Sequence, residues 1–128
     1  LRGVDVRIML PDNPDHALVW LASMAHADAM VQHDIAVYRY TDGFLHQKVV
    51  LMDEEMATVG SVNFDNRSFA INFEITLWFT DAETIAGVDA MLARDFESCR
   101  RVGLSEVNSR LWALRLATQA ARLLSPVL

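Results

Sequence analysis

HQKVVLMD, residues 46–53, is the stretch that settles how this chain is read. Residues 45–52 are rich in Val and Leu and follow a Thr41-Asp42-Gly43 turn, a pattern that predicts a strand. Successive side chains of a strand point to opposite faces, so His46 and Lys48 are expected to project from one side. Asp53 closes the segment, five residues after the lysine. A neutral imidazole carries protons or attacks phosphorus, and a compact ammonium holds a phosphate oxygen, so the pair suits phosphoryl chemistry.

On the N-terminal side, Val4, Val6 and Ile8 alternate with Asp5, Arg7 and Met9 as in a strand, and PDNPD at 11–15 breaks it and offers N-caps. A helix is predicted over 15–33, with Leu18, Leu21, Ala22, Ala25, Ala29 and Met30 forming one inward stripe. Residues 35–40 read as a second strand. On the C-terminal side, 56–60 is a short apolar strand and 61–68 an irregular polar stretch. NFEITLWF at 72–79 then alternates, with Phe73, Ile75, Leu77 and Phe79 facing one way. Asp81 is predicted to cap a helix running to about 102, buried along Ile85, Val88, Met91, Leu92 and Phe96. Strands interleaved with helices imply a layered α/β domain.

With 128 residues the chain fits one domain, and 52% hydrophobic content with only 3 Pro and 5 Gly supports a packed core. The 17 acidic residues outweigh the 11 basic ones, a net charge of -6, which argues against nucleic-acid binding through a broadly positive surface. One cysteine, Cys99, makes no internal disulfide and no cysteine-rich zinc module, and its thiol reads as packing. Ten of the basic residues are arginine and one is lysine, Lys48, which singles that residue out.

No stretch of 18 or more residues is apolar and uncharged enough to span a bilayer; the run at 16–27 ends at Asp28. The chain opens on Leu1 without a basic stretch leading into an apolar one, so no signal peptide is expected and a start inside a longer protein is.

Residues 1–103 carry 8 basic and 16 acidic side chains, whereas from 104 onward Arg110, Arg115 and Arg122 face Glu106 alone. This change of sign sets the expected boundary between a domain, 1–103, and a tail, 104–128. Val107, Leu111, Leu114, Ala121 and Leu124 with Trp112 predict an amphipathic helix, and its arginines and tryptophan suit the headgroup level of a membrane. A helix docked on the same domain or on a partner satisfies the same pattern. Pro126 ends it.

Downstream of the lysine, GSVNFDNRSF at 60–69 supplies Ser61 and Asn63, two neutral donors. Donors together with a cation can stabilise the charge developing on a pentavalent phosphate without a metal. Glu74, on the strand face shared with Asn72, Thr76 and Trp78, is the candidate to accept from one imidazole nitrogen and fix the tautomer at the other. Trp78 is placed to wall the site.

His46, Lys48 and Asp53 match the H-x-K-x4-D motif, and with Gly60, Ser61, Asn63 and Glu74 behind them the chain resembles the phospholipase D superfamily. YRYTDGFLHQKVVLMD, GSVNFDNRSF, NFEITL, RDFESCRRV and the ending ARLLSPVL are similar to the second catalytic half and tail of bacterial cardiolipin synthases. The resemblance implies a layered α/β/α fold with a mixed sheet. It also implies phosphatidyl transfer that joins two phosphatidylglycerols into cardiolipin, with no metal and no cofactor. Two motif histidines would meet at a pseudo-two-fold interface, one forming a phosphohistidine and the other protonating the leaving alcohol.

His46, lying in the second half, is then expected to act as general acid and afterwards general base, with the opposite assignment open. Lys48 and Asn63 would bind phosphoryl oxygens, Ser61 would assist, Glu74 would orient His46, and Asp53 would shape the strand end. The implied partners are the phospholipid, a membrane surface, and a second motif-bearing half in the same full-length chain or in a homodimer, with no nucleic acid. The implied location is the bacterial cytoplasmic membrane, reached through segments outside this chain.

The chain departs from those synthases in carrying one motif where they carry two. Their second half also begins with another strand and helix before the point matching Leu1. A piece truncated at its N-terminus is therefore expected, with an exposed sheet edge and no activity alone.

Two other functions compete with this one. A single-motif phosphodiesterase or nuclease could build its site by homodimerisation, though the -6 charge counts against a nuclease. An inactive half-domain remnant is the other. His16, His26 and His33 lie on one predicted helix with no acidic or cysteine partner in register, so packed or solvated histidines are favoured over a metal site. Trp20, Met24 and Met30 read as core. Residues 65–68 read either as headgroup contacts or as turn chemistry with a buried Arg67–Asp65 pairing.

Overall fold

A computed structural model of the chain describes residues 3–13 and 17–124. Within them, β1 (Arg7–Pro11), α1 (Ala17–Gln32), β2 (Ala36–Tyr40), β3 (Lys48–Met52), β4 (Met56–Gly60) and α2 (Asn66–Ala70) are followed by β5 (Thr76–Phe79), α3 (Ala82–Glu97), β6 (Cys99–Arg101), α4 (Leu104–Ser109) and α5 (Trp112–Leu124). Asp15, His16, the side chains of Leu18 and Leu124, and the stop expected at Pro126 lie outside the described residues.

The expected α/β class is what forms, with the strands in two three-stranded sheets. β1 and β2 are parallel, as the α1 crossover between them requires, and β6 joins β2 antiparallel with Tyr38 opposite Arg101. Pro11 is tolerated in β1 because that strand is an edge, where a missing N–H costs no ladder bond. The second sheet, β3-β4-β5, is antiparallel throughout.

Each sheet has its own core. Val37, fully buried on β2, packs with Ala27 and Val31 of α1, with Val102 and with Val107 of α4. Ala57 on β4 packs with Ile85 and Val88 of α3, and Val49, Leu51, Phe79 and Leu92 close around them. Cys99 is half-buried and donates to the Asp95 carbonyl at 3.2 Å, and burial pushes its thiol up, as a packing residue requires.

Several elements differ from the sequence expectation, each for a tertiary reason. α1 buries Ala22, Met24, Ala25, Ala27 and Val31, more than one stripe, because β2 and α5 both pack against it. Asp81 caps α3 as expected, accepting from the Thr84 N–H at 2.8 Å, but the helix ends at Glu97. The three residues from Cys99 turn back to pair with β2.

The stretch read as irregular holds α2, capped by Asp65, whose side chain accepts from the Ser68 N–H at 2.7 Å. Arg67 is exposed and no ion pair joins it to Asp65, so the expected buried pairing is replaced by this cap. Among the described residues the tail is two helices. Arg110 between them is extended, and its Nη1 lies 2.6 Å from both carboxylate oxygens of Asp28 on α1. α5 then packs along α1, burying Thr118 and Ala121.

Candidate active site

The β3-β4 hairpin pairs Lys48 with Gly60 at one end and Met52 with Met56 at the other, and β5 adds Thr76 opposite Gly60. Lys48, Gly60 and Thr76 therefore stand in one row across the sheet. Val49 and Leu51 face α3, so the alternation of side chains puts Lys48 on the opposite face. Gln47 confirms the sense, since its Nε2 reaches back to Asp95 of α3 at 2.8 Å. Trp78, paired with Thr58 two rows further along, shares the face of Lys48 and is exposed.

Gly60 is a glycine because two strands approach there. A Cβ on it would strike the Ile75 carbonyl oxygen and come within 2.7 Å of Thr76 Oγ1 and 2.8 Å of Thr76 Cα. Beyond it, Ser61 prolongs the ladder, its N–H donating to the Ile75 carbonyl at 2.9 Å. The Ser61 hydroxyl accepts from the Ile75 N–H at 3.1 Å and donates to Glu74 Oε2 at 2.5 Å. Asn72 Nδ2 donates to the other oxygen, Oε1, at 3.1 Å. The Ser61 and Asn72 donors, helped by the charge of Lys48, hold the Glu74 carboxyl below the usual carboxylate range. Glu74 is thus an anion at neutral pH.

The strand predicted from residue 45 begins at Lys48, leaving His46 on the exposed lead-in. The Lys48 ammonium folds back and donates to the His46 carbonyl at 2.7 Å. The His46 ring stacks on Phe44, with centroids 5.6 Å apart and planes at 19°. Glu74 has Ser61 and Asn72 as its hydrogen-bond partners, and no bond from the His46 ring to it is formed here.

Phe44 and Asn72 were not among the site residues picked from the sequence. The available signal was position: Phe44 lies two residues before His46, and Asn72 two before Glu74, spacings that share a face in extended chain.

Asn63 is exposed on the loop that follows Ser61. Asp53 follows the far end of β3, whose last residue, Met52, is about 13 Å from Lys48 at ~3.3 Å per residue. It adopts a left-handed φ of 50° in the turn to β4, a conformation aspartate tolerates. The structure thus gathers Lys48, Ser61 and Glu74, keeps His46 beside them through the chain, and leaves Asp53 outside. Along the following segment Phe64, Phe69, Ile71, Phe73 and Ile75 are exposed, and Phe64 and Phe69 touch edge-to-face at 5.3 Å.

The architecture is a phospholipase D fold. It matches the crystal structure of Nuc, a phospholipase D family member from Salmonella typhimurium, with a TM-score of 0.68 over 80% of this chain and 66% of that one, at 20% identity. The family model described as cardiolipin synthase, PLD-like domain, matches residues 1–96, and the chain belongs to that family. Among curated relatives, cardiolipin synthase A of Pseudomonas syringae pv. syringae (strain B728a) is 45% identical over 128 residues, all of this chain and 27% of that protein. Those of Pseudomonas putida (strain W619) and Pseudomonas fluorescens (strain SBW25) are 46% identical over the same span, again 27% of each. The chain therefore covers about a quarter of the length of these relatives.

Proposed function

We propose that this chain supplies one half of the active site of a phosphatidyltransferase that joins two phosphatidylglycerols into cardiolipin and releases glycerol. The observation that carries the reading is the row across β3, β4 and β5, which sets the Lys48 ammonium beside the Ser61–Glu74 pair and next to His46. In the first step the histidine of the other motif-bearing half attacks phosphorus. The bond to the glycerol oxygen breaks, and His46 gives that oxygen its proton. In the second step the now neutral His46 takes the proton of the acceptor hydroxyl, whose oxygen bonds to phosphorus as the phosphorus–nitrogen bond breaks and frees the other histidine.

Lys48 and Asn63 hold the phosphoryl oxygens, which supplies the charge stabilisation a metal would otherwise provide. Glu74, an anion, orients His46 and stabilises its imidazolium once the two halves are joined. The other half comes from the same full-length protein or from a second copy. Exposed Phe64, Phe69 and Phe73 support such a partner, since a run of exposed aromatics marks a surface that is covered in the working molecule. Residues 1–103 form the catalytic half-domain and 104–128 its tail. No helix among the described residues is long and apolar enough to cross a membrane, and attachment to the bacterial cytoplasmic membrane is assigned to segments outside this chain.

The test is His46→Ala in the complete enzyme, with glycerol release and cardiolipin formation followed together. Both should stop with phosphatidylglycerol as donor. A phosphatidyl donor carrying a nitrophenyl leaving group, which needs no proton, should still load the other histidine. Wild-type turnover with phosphatidylglycerol would sink the assignment. Phosphodiesterase activity in a homodimer of this 128-residue chain alone would favour the single-motif alternative instead.

A further inference from the structure

We infer that the outward face of α5 is a lipid-contact surface separate from the transfer site, and that it docks on an anionic bilayer. α5 is apolar on two sides. One side packs on α1 through Thr118 and Ala121, with Leu114 half-buried. On the other, Trp112 and Leu116 are 77% and 64% exposed, and Ala120 continues their line at the i, i+4, i+8 spacing of a helix. Leu111, just before the helix, is 75% exposed as well.

Arg115 and Arg122, seven residues apart, border this strip on one side, and no ion pair joins either to another described residue. The remaining arginine of the tail is engaged by Asp28 and Glu106. Glu106, the one acid after residue 103, is held by Arg100 at 2.9 Å as well as by Arg110. An otherwise acidic protein of net charge -6 thus presents one helix face that is apolar along its middle, cationic along its border and free of carboxylates.

Charge complementarity selects the occupant. A helix lying in the plane of a bilayer buries its apolar strip at the acyl boundary, its arginines reach the phosphates, and an indole sits at the headgroup level. A protein partner would fit Trp112 and Leu116 equally well but would have to bring its own carboxylates for Arg115 and Arg122.

Vesicle sedimentation of the 128-residue chain tests this without turnover, so its failure leaves the transfer reading standing. Phosphatidylcholine vesicles with and without phosphatidylserine are compared, the anionic lipid being one that is not the proposed substrate. Binding should require phosphatidylserine. It should weaken about tenfold or more in the Arg115→Gln/Arg122→Gln double variant. Trp112→Ser/Leu116→Ser should weaken it at least as much, with an unchanged far-ultraviolet spectrum, and Lys48→Ala should leave it intact. Equal binding to both vesicles, no binding to either, or binding indifferent to these substitutions would overturn the inference. A dimer of the chain that Trp112→Ser/Leu116→Ser dissociates would do so too, giving the face to a second copy.

Discussion

The Ser61 hydroxyl donates its one proton to Glu74 at 2.5 Å while accepting from the Ile75 N–H at 3.1 Å. A hydroxyl has a single proton to give, so in this arrangement none is left for a phosphoryl oxygen. On the proposed reading Ser61 then positions Glu74 rather than the phosphoryl group, and Asn63 is the neutral donor left facing solvent.

Ser61→Ala should therefore change the pH profile as well as the rate. Glu74 is held below the usual carboxylate range, first by Ser61 and then by Asn72. A depressed carboxyl contributes stability that is complete above its ordinary value and is lost as the pH falls through the lowered one. Removing the first donor raises that lower limit. The acid limb of both stability and turnover should shift to higher pH, as a carboxyl-carbon NMR titration of Glu74 would show directly. An unmoved titration would leave the hydroxyl no such role.

Gly60→Ala should open the sheet at the site. Its Cβ would meet the Ile75 carbonyl and Thr76, so β5 must move away from β4. Overpacking of this kind costs about 2 kcal/mol. Urea denaturation should show that loss, together with a Glu74 carboxyl returned toward its ordinary value because Ser61 and Glu74 separate. Full stability would mean that β5 yields without strain.

Lys48→Arg should lower transfer by about tenfold or more in the complete enzyme, because a planar guanidinium does not replace a compact ammonium. The ammonium curls back onto the His46 carbonyl at 2.7 Å, a geometry the longer forked side chain cannot copy. Near-normal turnover would show that position 48 supplies charge alone.

Arg110→Ala should destabilise the chain by about 3 kcal/mol, since it leaves the carboxylate of a largely buried ion pair without its partner. The two side chains are only 11% and 15% exposed. A loss below about 1 kcal/mol in denaturant titration would place the pair among weak surface bridges.

Much of this architecture could be read from local pattern. Residues 56–60 form β4 as expected, and Asp81 caps α3. What could not be read depended on partners distant in sequence. The ladder of β3 starts at Lys48 because its opposite number, Gly60, is the last residue of β4, after which Ser61 pairs with Ile75 instead. Cys99 to Arg101 carry no strand signal of their own and become β6 only because β2 offers an edge. α1 hid its second buried side because the helix that covers it, α5, lies some eighty residues further on.

The site was legible in its residue types and less so in its bonds. Periodicity put His46 with Lys48 on one strand face and Glu74 with Thr76 and Trp78 on another strand's, and the structure brings the two together closely enough that the charge of Lys48 is felt at Glu74. The partner chosen by each polar atom depends on distances of a few tenths of an ångström, which spacing does not encode. So the His46 ring meets Phe44, and the Glu74 oxygens meet Ser61 and Asn72.

Arginine supplies every other side-chain cation of the chain, so Lys48 is its one side-chain amine. Acylating or reductively methylating reagents, which on most proteins decorate a scatter of surface lysines, would here address the position proposed to bind phosphate. A single isotope-labelled methyl pair on that nitrogen would turn the proposed half-site into a one-signal spectrum, able to register an anion's arrival without any turnover.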